Sequence, residues 1–180
     1  RRFFFLEPHK LISSIEGENE MANKNRKEQF IQIPIGSVSL SGDLTVIEGS
    51  PGIVLFAHGS GSGRHSKRNR YVANVLQDAG LATLLFDLLT EEEEIIDEQT
   101  QHLRFDIGLL TNRLVAVTDW LVQNRPASNN LNIAYFGAST GAAAALAAAA
   151  KRVDIIKAVV SRGGRPDLAD PYLGQVKAPT

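Results

Sequence analysis

The chain has 180 residues, 43% of them apolar, with 19 basic and 20 acidic side chains and no cysteine. Such a length and composition suit one globular domain and argue against disorder, while the near-neutral charge favours neither a nucleic-acid nor an anionic-membrane partner. Without cysteine there are no disulfides, thiolate metal sites or cysteine nucleophile; no apolar run reaches the roughly 20 residues of a membrane span, and a cytoplasmic location is expected.

At the N-terminus, Arg1-Arg2 followed by Phe3 to Leu6 imitates a signal peptide, but the apolar core is short and Glu7-Pro8 interrupts it. The single methionine is Met21, with a polar stretch from Ala22 to Gln29 after it. Translation is expected to begin at Met21, residues 1–29 to form a disordered extension, and residues 30–180 to form one domain.

Phe30 to Ile35 and Val38 to Val46 alternate in polarity and predict two strands. The Gly36-Ser37 break suits a hairpin, and Pro34 suits an edge position. Gly49 to Gly52 reads as a loop. Ile53 to Ala57 is apolar without alternation, as in a strand covered on both faces.

From Ser66 to Ala79, Tyr71, Val72, Val75, Leu76 and Ala79 recur at helical spacing, with Gly80 as a C-terminal stop. Leu81 to Phe86 predicts another buried strand, ending at Asp87. The run Glu91 to Glu94 reads as part of a solvated acidic loop. Leu103 to Asn124 carries a helical stripe of Ile107, Leu110, Leu114, Val117 and Leu121, broken by Pro126 to Asn130. A strand then runs into Gly137-Ala138-Ser139-Thr140-Gly141 and an alanine-rich helix. Ile155 to Val160 predicts a last strand, before Arg162 and Arg165. A hairpin followed by strand–helix alternation gives an α/β fold: a mostly parallel central sheet with helices on both faces and an N-terminal antiparallel hairpin.

Gly-x-Ser-x-Gly between a strand and a helix is the arrangement of a nucleophile elbow, in which a strained turn lifts the serine hydroxyl above the sheet. Ser139 is the candidate nucleophile; the alternative is a serine that merely caps the helix. Acyl transfer also needs preorganised donors for an oxyanion. The N–H of Thr140 is one candidate, and Ser60 or Gly61 in the loop His58 to Gly63 supplies the other. His58 is read mainly as fixing that loop by hydrogen bonding, and with Arg162 as a candidate for the substrate-binding pocket. Arg64, His65, Lys67, Arg68 and Arg70 are read as a solvated helix start rather than an anion site. Carboxylates without nearby histidines make a weak metal case, so neither a metal nor a cofactor is expected.

Gly59-x-Gly61 after a strand, with Asp87 ending the next, also imitates a dinucleotide fingerprint. The third glycine is missing, since Arg64 stands there, and this reading leaves Gly137 to Gly141 unexplained.

Taken together, Phe56 to Gly63, Phe86 to Thr90 with the glutamates, Gly137 to Gly141 and Ser161 to Leu168 resemble the α/β-hydrolases, most closely the dienelactone hydrolase-related branch, from about Ile31 to Thr180. The resemblance implies a serine hydrolase acting on a small-molecule ester or related acyl bond. The branch's namesakes carry a cysteine nucleophile where this chain has Ser139. They also place the triad acid and histidine beyond the position of Thr180, and no histidine here follows Ser139. The resemblance therefore implies a C-terminally truncated, incomplete α/β-hydrolase fold, inactive as these 180 residues, with the last strand as an open edge and Asp167 in an alternative acid position. A non-catalytic hydrolase-fold binding protein is the alternative.

Overall fold

The computed structural model describes residues 26–124 and 132–180. Its strands are β1 (Arg26–Ile35), β2 (Val38–Ile47), β3 (Gly52–Ala57), β4 (Ala82–Phe86), β5 (Asn132–Ala138) and β6 (Ile156–Arg162), and its helices are α1 (Lys67–Asp78), α2 (Glu91–Thr100), α3 (Ile107–Asn124), α4 (Thr140–Lys151) and α5 (Asp170–Leu173). The strands form one sheet in the order β1-β2-β4-β3-β5-β6. The β1–β2 hairpin is antiparallel, as is the β2–β4 pair; β4, β3, β5 and β6 run parallel. This is the expected α/β architecture.

Uniform apolarity in the central strands follows from burial on both faces. Ile53, Leu55 and Ala57 of β3 enter a core shared with α3 and α4, whereas Val54 and Phe56 enter a smaller core under α1. Each large apolar side chain buried this way contributes about 1.5–3 kcal/mol. The stripe Leu110, Leu114, Val117 and Leu121 faces inward as expected. Ten consecutive residues of α4, Thr140 to Ala149, are buried, because methyl side chains let this helix lie close against the sheet. The hydroxyl of Tyr135 and the Thr118 hydroxyl beneath α3 are 2.7 Å apart, and Thr118 donates on to the Leu114 carbonyl at 2.8 Å.

Several boundaries differ from those expected. β1 begins at Arg26, so residues 26–29 are strand rather than extension; pairing with Leu44 to Ile47 extends it. The Met21 start and the 126–130 break lie outside the described residues. The acidic run is not a loop but the first turn of α2. Thr90 accepts from Glu93 N–H, and the Glu93 carboxylate accepts from Thr90 N–H, a reciprocal cap. The glutamates also stand where the helix dipole favours negative charge. Leu103 to Phe105 form a separate 3₁₀ turn before α3.

The predicted face of α1 is rotated. Tyr71 and Val75 are exposed, whereas Asn69, Ala73 and Gln77 are buried. Gln77 donates to Thr83 Oγ1 on β4 at 2.5 Å, so a tertiary partner admits an amide to the core. β6 is the outer strand of the described sheet, and Val160 is 51% exposed. Beside it, Val159 N–H donates to the Pro179 carbonyl at 2.9 Å.

Candidate active site

Ser139 follows β5 and precedes α4, with φ 52° and ψ −121°. A side chain at positive φ is strained, and it persists because its surroundings leave no alternative. Gly137 abuts the start of α4: a Cβ there would stand 2.8 Å from the Gly141 carbonyl oxygen and 2.9 Å from Ala142 N. Gly141 lies against the Ala57 and His58 carbonyls, where a Cβ cannot fit. Ser139 N–H donates to the Arg162 carbonyl on β6 at 3.3 Å, which anchors the turn from the other side. Strand, elbow and helix are thus locked from three directions.

The Ser139 side chain makes no hydrogen bond to the helix end, unlike a capping serine. α4 consequently starts with free donors: Thr140 and Gly141 N–H have no intrahelical acceptor, while Ala142 N–H returns to the Ser139 carbonyl at 3.0 Å.

The glycine-rich loop lies directly against this turn. A Cβ on Gly59 would stand 3.1 Å from the Ser139 Cβ. Ser62 N–H donates to the Gly59 carbonyl at 3.2 Å, closing a turn with Ser60 and Gly61 at its centre, and Gly61 adopts φ +64°. Among the described residues neither the Ser60 N–H nor the Gly61 N–H has a hydrogen-bond acceptor. The Ser60 and Thr140 hydroxyls meet at 3.2 Å, joining loop to elbow.

His58 is buried, with both ring nitrogens on backbone groups. Nδ1–H donates to the Gly59 carbonyl at 3.0 Å, and Nε2 accepts from Leu88 N–H at 2.9 Å. Burial lowers its pKa from the ordinary value of 6.5, against the opposing pull of the Gly59 carbonyl and the Asp87 charge. A neutral ring ties β3 to the loop after β4, the loop-fixing role, and leaves no nitrogen free for a substrate or for Ser139.

Asp87 likewise fixes a loop, accepting from Arg64 N–H at 2.7 Å and pairing with the Arg64 guanidinium. That pairing occupies the carboxylate a dinucleotide ribose would need, and a charged side chain fills the third-glycine position. Arg64 also lies 3.7 Å from Asp43, to which Arg70 pairs at 3.1 Å. Of the basic group, His65, Lys67, Arg68 and Arg70 are exposed.

A cavity of about 440 Å³ opens beside these elements. The His58–His65 loop, Asp87 to Leu89 and Thr140 form one side; Glu91, Glu94 and Glu98 of α2 and Arg104 form the other. Ser139 adjoins this lining through Thr140 without being part of it. Arg162 is exposed at the end of β6 and also lies outside the lining. Asp167 is held by Arg165 in an exposed ion pair at 2.6 Å. Among the described residues no histidine hydrogen-bonds Ser139: His65 meets Arg70 at 2.8 Å and His102 meets Thr100 at 2.7 Å.

Arg104 escaped the sequence reading, and Glu94 was read only as part of a solvated acidic loop. Arg104 places Nη1 3.6 Å from where a Cβ on Gly61 would stand, against the glycine loop. Its Nε donates to buried Asp97 at 2.5 Å and Nη2 to the Asp97 carbonyl at 3.0 Å. Burial pushes the Asp97 carboxyl upward, but Arg104 and the N–H groups of Arg104 and Leu103 outweigh it and hold the pKa below the ordinary range. Glu94 moves the other way, raised by burial and then by the charges of Asp87 and Glu98. Nothing local in the sequence marks either residue, because both depend on how α2 seats over the loop. Among the described residues there is no cluster of ligands that could hold a metal ion, and no helix is long and apolar enough to cross a membrane.

No family model matches the chain. It is similar to two Mycobacterium tuberculosis proteins, from two strains, named "Putative phosphoribosyl transferase", at 57% identity over 154 residues, 86% of this chain. The chain spans about a third (34%) of the length of these curated relatives. Metagenomic dienelactone hydrolase-like phosphotriesterase, at 20% identity and a TM-score of 0.63, shares the fold over 86% of this chain and 66% of that one. The dienelactone hydrolase of Anabaena variabilis matches far more closely, with 62% identity and a TM-score of 0.83 over 87% of this chain and 72% of that one. Elbow, glycine loop and sheet order thus sit in a chain that is similar in both sequence and structure to a dienelactone hydrolase, and this chain belongs to the dienelactone hydrolase family of α/β-hydrolases.

Proposed function

We infer that the protein is a serine hydrolase acting on an ester or related acyl bond of a small molecule. The observation that carries this reading is Ser139 itself: a serine held at φ 52° with no capping hydrogen bond, at a helix start whose N–H groups face a second set of donors. In the reaction, Ser139 Oγ bonds to the acyl carbon and the carbonyl π pair moves onto oxygen. Thr140 N–H and the Ser60 or Gly61 N–H stabilise that oxyanion, each worth about 3 kcal/mol in comparable sites. The Ser139 proton passes to an imidazole base, and collapse of the intermediate expels the alcohol, which takes that proton. Water then repeats the sequence on the acyl-enzyme.

By the family's triad order the imidazole and its acid partner come from outside these 180 residues. The engagement of His58, His65 and His102 with other groups supports this assignment. It also favours the second reading, that these 180 residues alone bind ligand without turnover. The name of the mycobacterial relatives points to another activity. A serine elbow is built for acyl transfer, and we assign phosphoribosyl transfer to the two thirds of those proteins outside the matched segment. We place the protein in the cytoplasm, on its lack of cysteine.

The test is fluorophosphonate labelling of the protein expressed from its full reading frame, read by intact mass. One adduct that disappears in Ser139→Ala is the expected result. An adduct that persists in that variant would remove the nucleophile assignment, and labelling by the 180 residues alone would remove the second reading.

A further inference from the structure

Either hydroxyl of the Ser60–Thr140 pair could donate, and burial decides which direction is favoured. Thr140 is 1% exposed, and among the described residues its hydroxyl has one partner, Ser60 Oγ at 3.2 Å. Leaving a buried hydroxyl hydrogen without an acceptor is costly, which favours the direction in which Thr140 donates to Ser60 Oγ. In that direction Ser60 accepts, and its own hydrogen is left over. Ser60 is half-buried on the cavity wall, and its Oγ–H has no other acceptor among the described residues.

We propose that Ser60 Oγ–H, oriented by Thr140 Oγ1–H, is a third, side-chain donor to the oxyanion. The inference rests on Ser139 as the nucleophile. The pair links the two elements that supply the backbone donors, Thr140 on α4 and Ser60 in the glycine loop. A hydroxyl that accepts a hydrogen bond is polarised into a better donor. Its direction is set before the substrate arrives, so it needs no reorganisation as charge develops. No bond to Ser60 forms or breaks: the hydrogen bond strengthens as the carbonyl becomes an oxyanion and relaxes as the intermediate collapses.

The experiment is steady-state hydrolysis of p-nitrophenyl acetate by the full-length protein, with the Ser139→Ala rate subtracted. Ser60→Ala keeps the backbone N–H and removes the hydroxyl; kcat is expected to fall about 10²-fold with KM unmoved. Thr140→Val keeps shape and N–H but removes the orienting donor, and a smaller fall in kcat is expected. The double variant should be no worse than Ser60→Ala, because the two hydroxyls act as one device. Thr140→Ser returns the hydroxyl and should recover the larger part of the Thr140→Val loss, which a packing effect would not. Unchanged kcat in Ser60→Ala, or a loss confined to KM, overturns the third donor while leaving Ser139 in place. Turnover that survives Ser139→Ala overturns the nucleophile and this inference together.

Discussion

Gly141 lies so close to Ala57 that a methyl group on it would overlap the Ala57 carbonyl, and a Cβ there would stand 2.6 Å from the carbonyl carbon. The end of β3 and the first turn of α4 are packed backbone against backbone, and this contact places the glycine loop beside Ser139. Gly141→Ala forces the two apart. Overpacking of this kind costs about 1–3 kcal/mol. A lower urea midpoint is expected, together with slower labelling of Ser139. An unchanged midpoint would show that the two backbones are not in contact.

The elbow stores strain. A non-glycine residue at positive φ costs about 1–3 kcal/mol, and Ser139 sits at φ 52°. Ser139→Gly is expected to raise the thermal midpoint while abolishing labelling. Ser139→Ala abolishes labelling without that gain. Equal melting of the two variants would argue that the turn is unstrained.

His58 gives stability a pH dependence of defined sign. Burial lowers its folded pKa below the unfolded value of 6.5, so the native state binds fewer protons in the window between the two. Its contribution is complete above the unfolded value and declines as pH falls toward the folded one. Urea midpoints from about pH 8 down to about pH 5 should fall for the wild type. His58→Gln should start lower and show a flatter slope; parallel slopes would count against a neutral, buried ring.

Asp97 neutralises Arg104 where both are largely shielded from water, with side-chain exposures of 3% and 20%. Asp97→Ala leaves the guanidinium uncompensated and removes the acceptor of two backbone N–H groups. A loss of about 3–5 kcal/mol is expected, since breaking such a pair leaves a buried charge. Arg104→Met keeps bulk and drops charge, and leaves the Asp97 carboxylate with only the backbone N–H groups of Leu103 and residue 104. Denaturant titration of both variants separates the two effects, and near-wild-type stability in Asp97→Ala would disprove the tie.

Tyr135→Phe removes one member of the buried hydroxyl pair with Thr118. Thr118 keeps its bond to the Leu114 carbonyl, so a loss of only about 1 kcal/mol is expected. A loss several times larger in a thermal melt would mean that the ring, not the hydrogen bond, is displaced.

Much of the fold is legible where the signal is local. The β1–β2 hairpin, the apolar run of β3 and the stripe from Leu110 to Leu121 follow from alternation, uniform apolarity and helical spacing. The cap of α2 was also written locally, as Thr90-x-x-Glu93, but four successive glutamates read as a solvated loop. The face of α1 was not local: Tyr71 and Val75 have the right spacing, yet Gln77 goes inward because Thr83 waits on β4 with a hydroxyl.

The same division runs through the site. By itself the sequence determined the tight strand-to-helix turn at Ser139, because strand, Gly-x-Ser-x-Gly and alanine helix are contiguous and only small residues fit that turn. It also marked the glycine loop as its companion. The tertiary structure alone decided what each group binds. Ser60 and Thr140 are 80 positions apart and meet at 3.2 Å; His58 is neutral and tied because Leu88 N–H reaches its Nε2; Arg104 faces the loop because Asp97 is buried behind it. Hydrogen bonds and buried charges are pairwise and short-ranged, so a spacing pattern can name the groups, but their partners exist only once the sheet has brought the loops together.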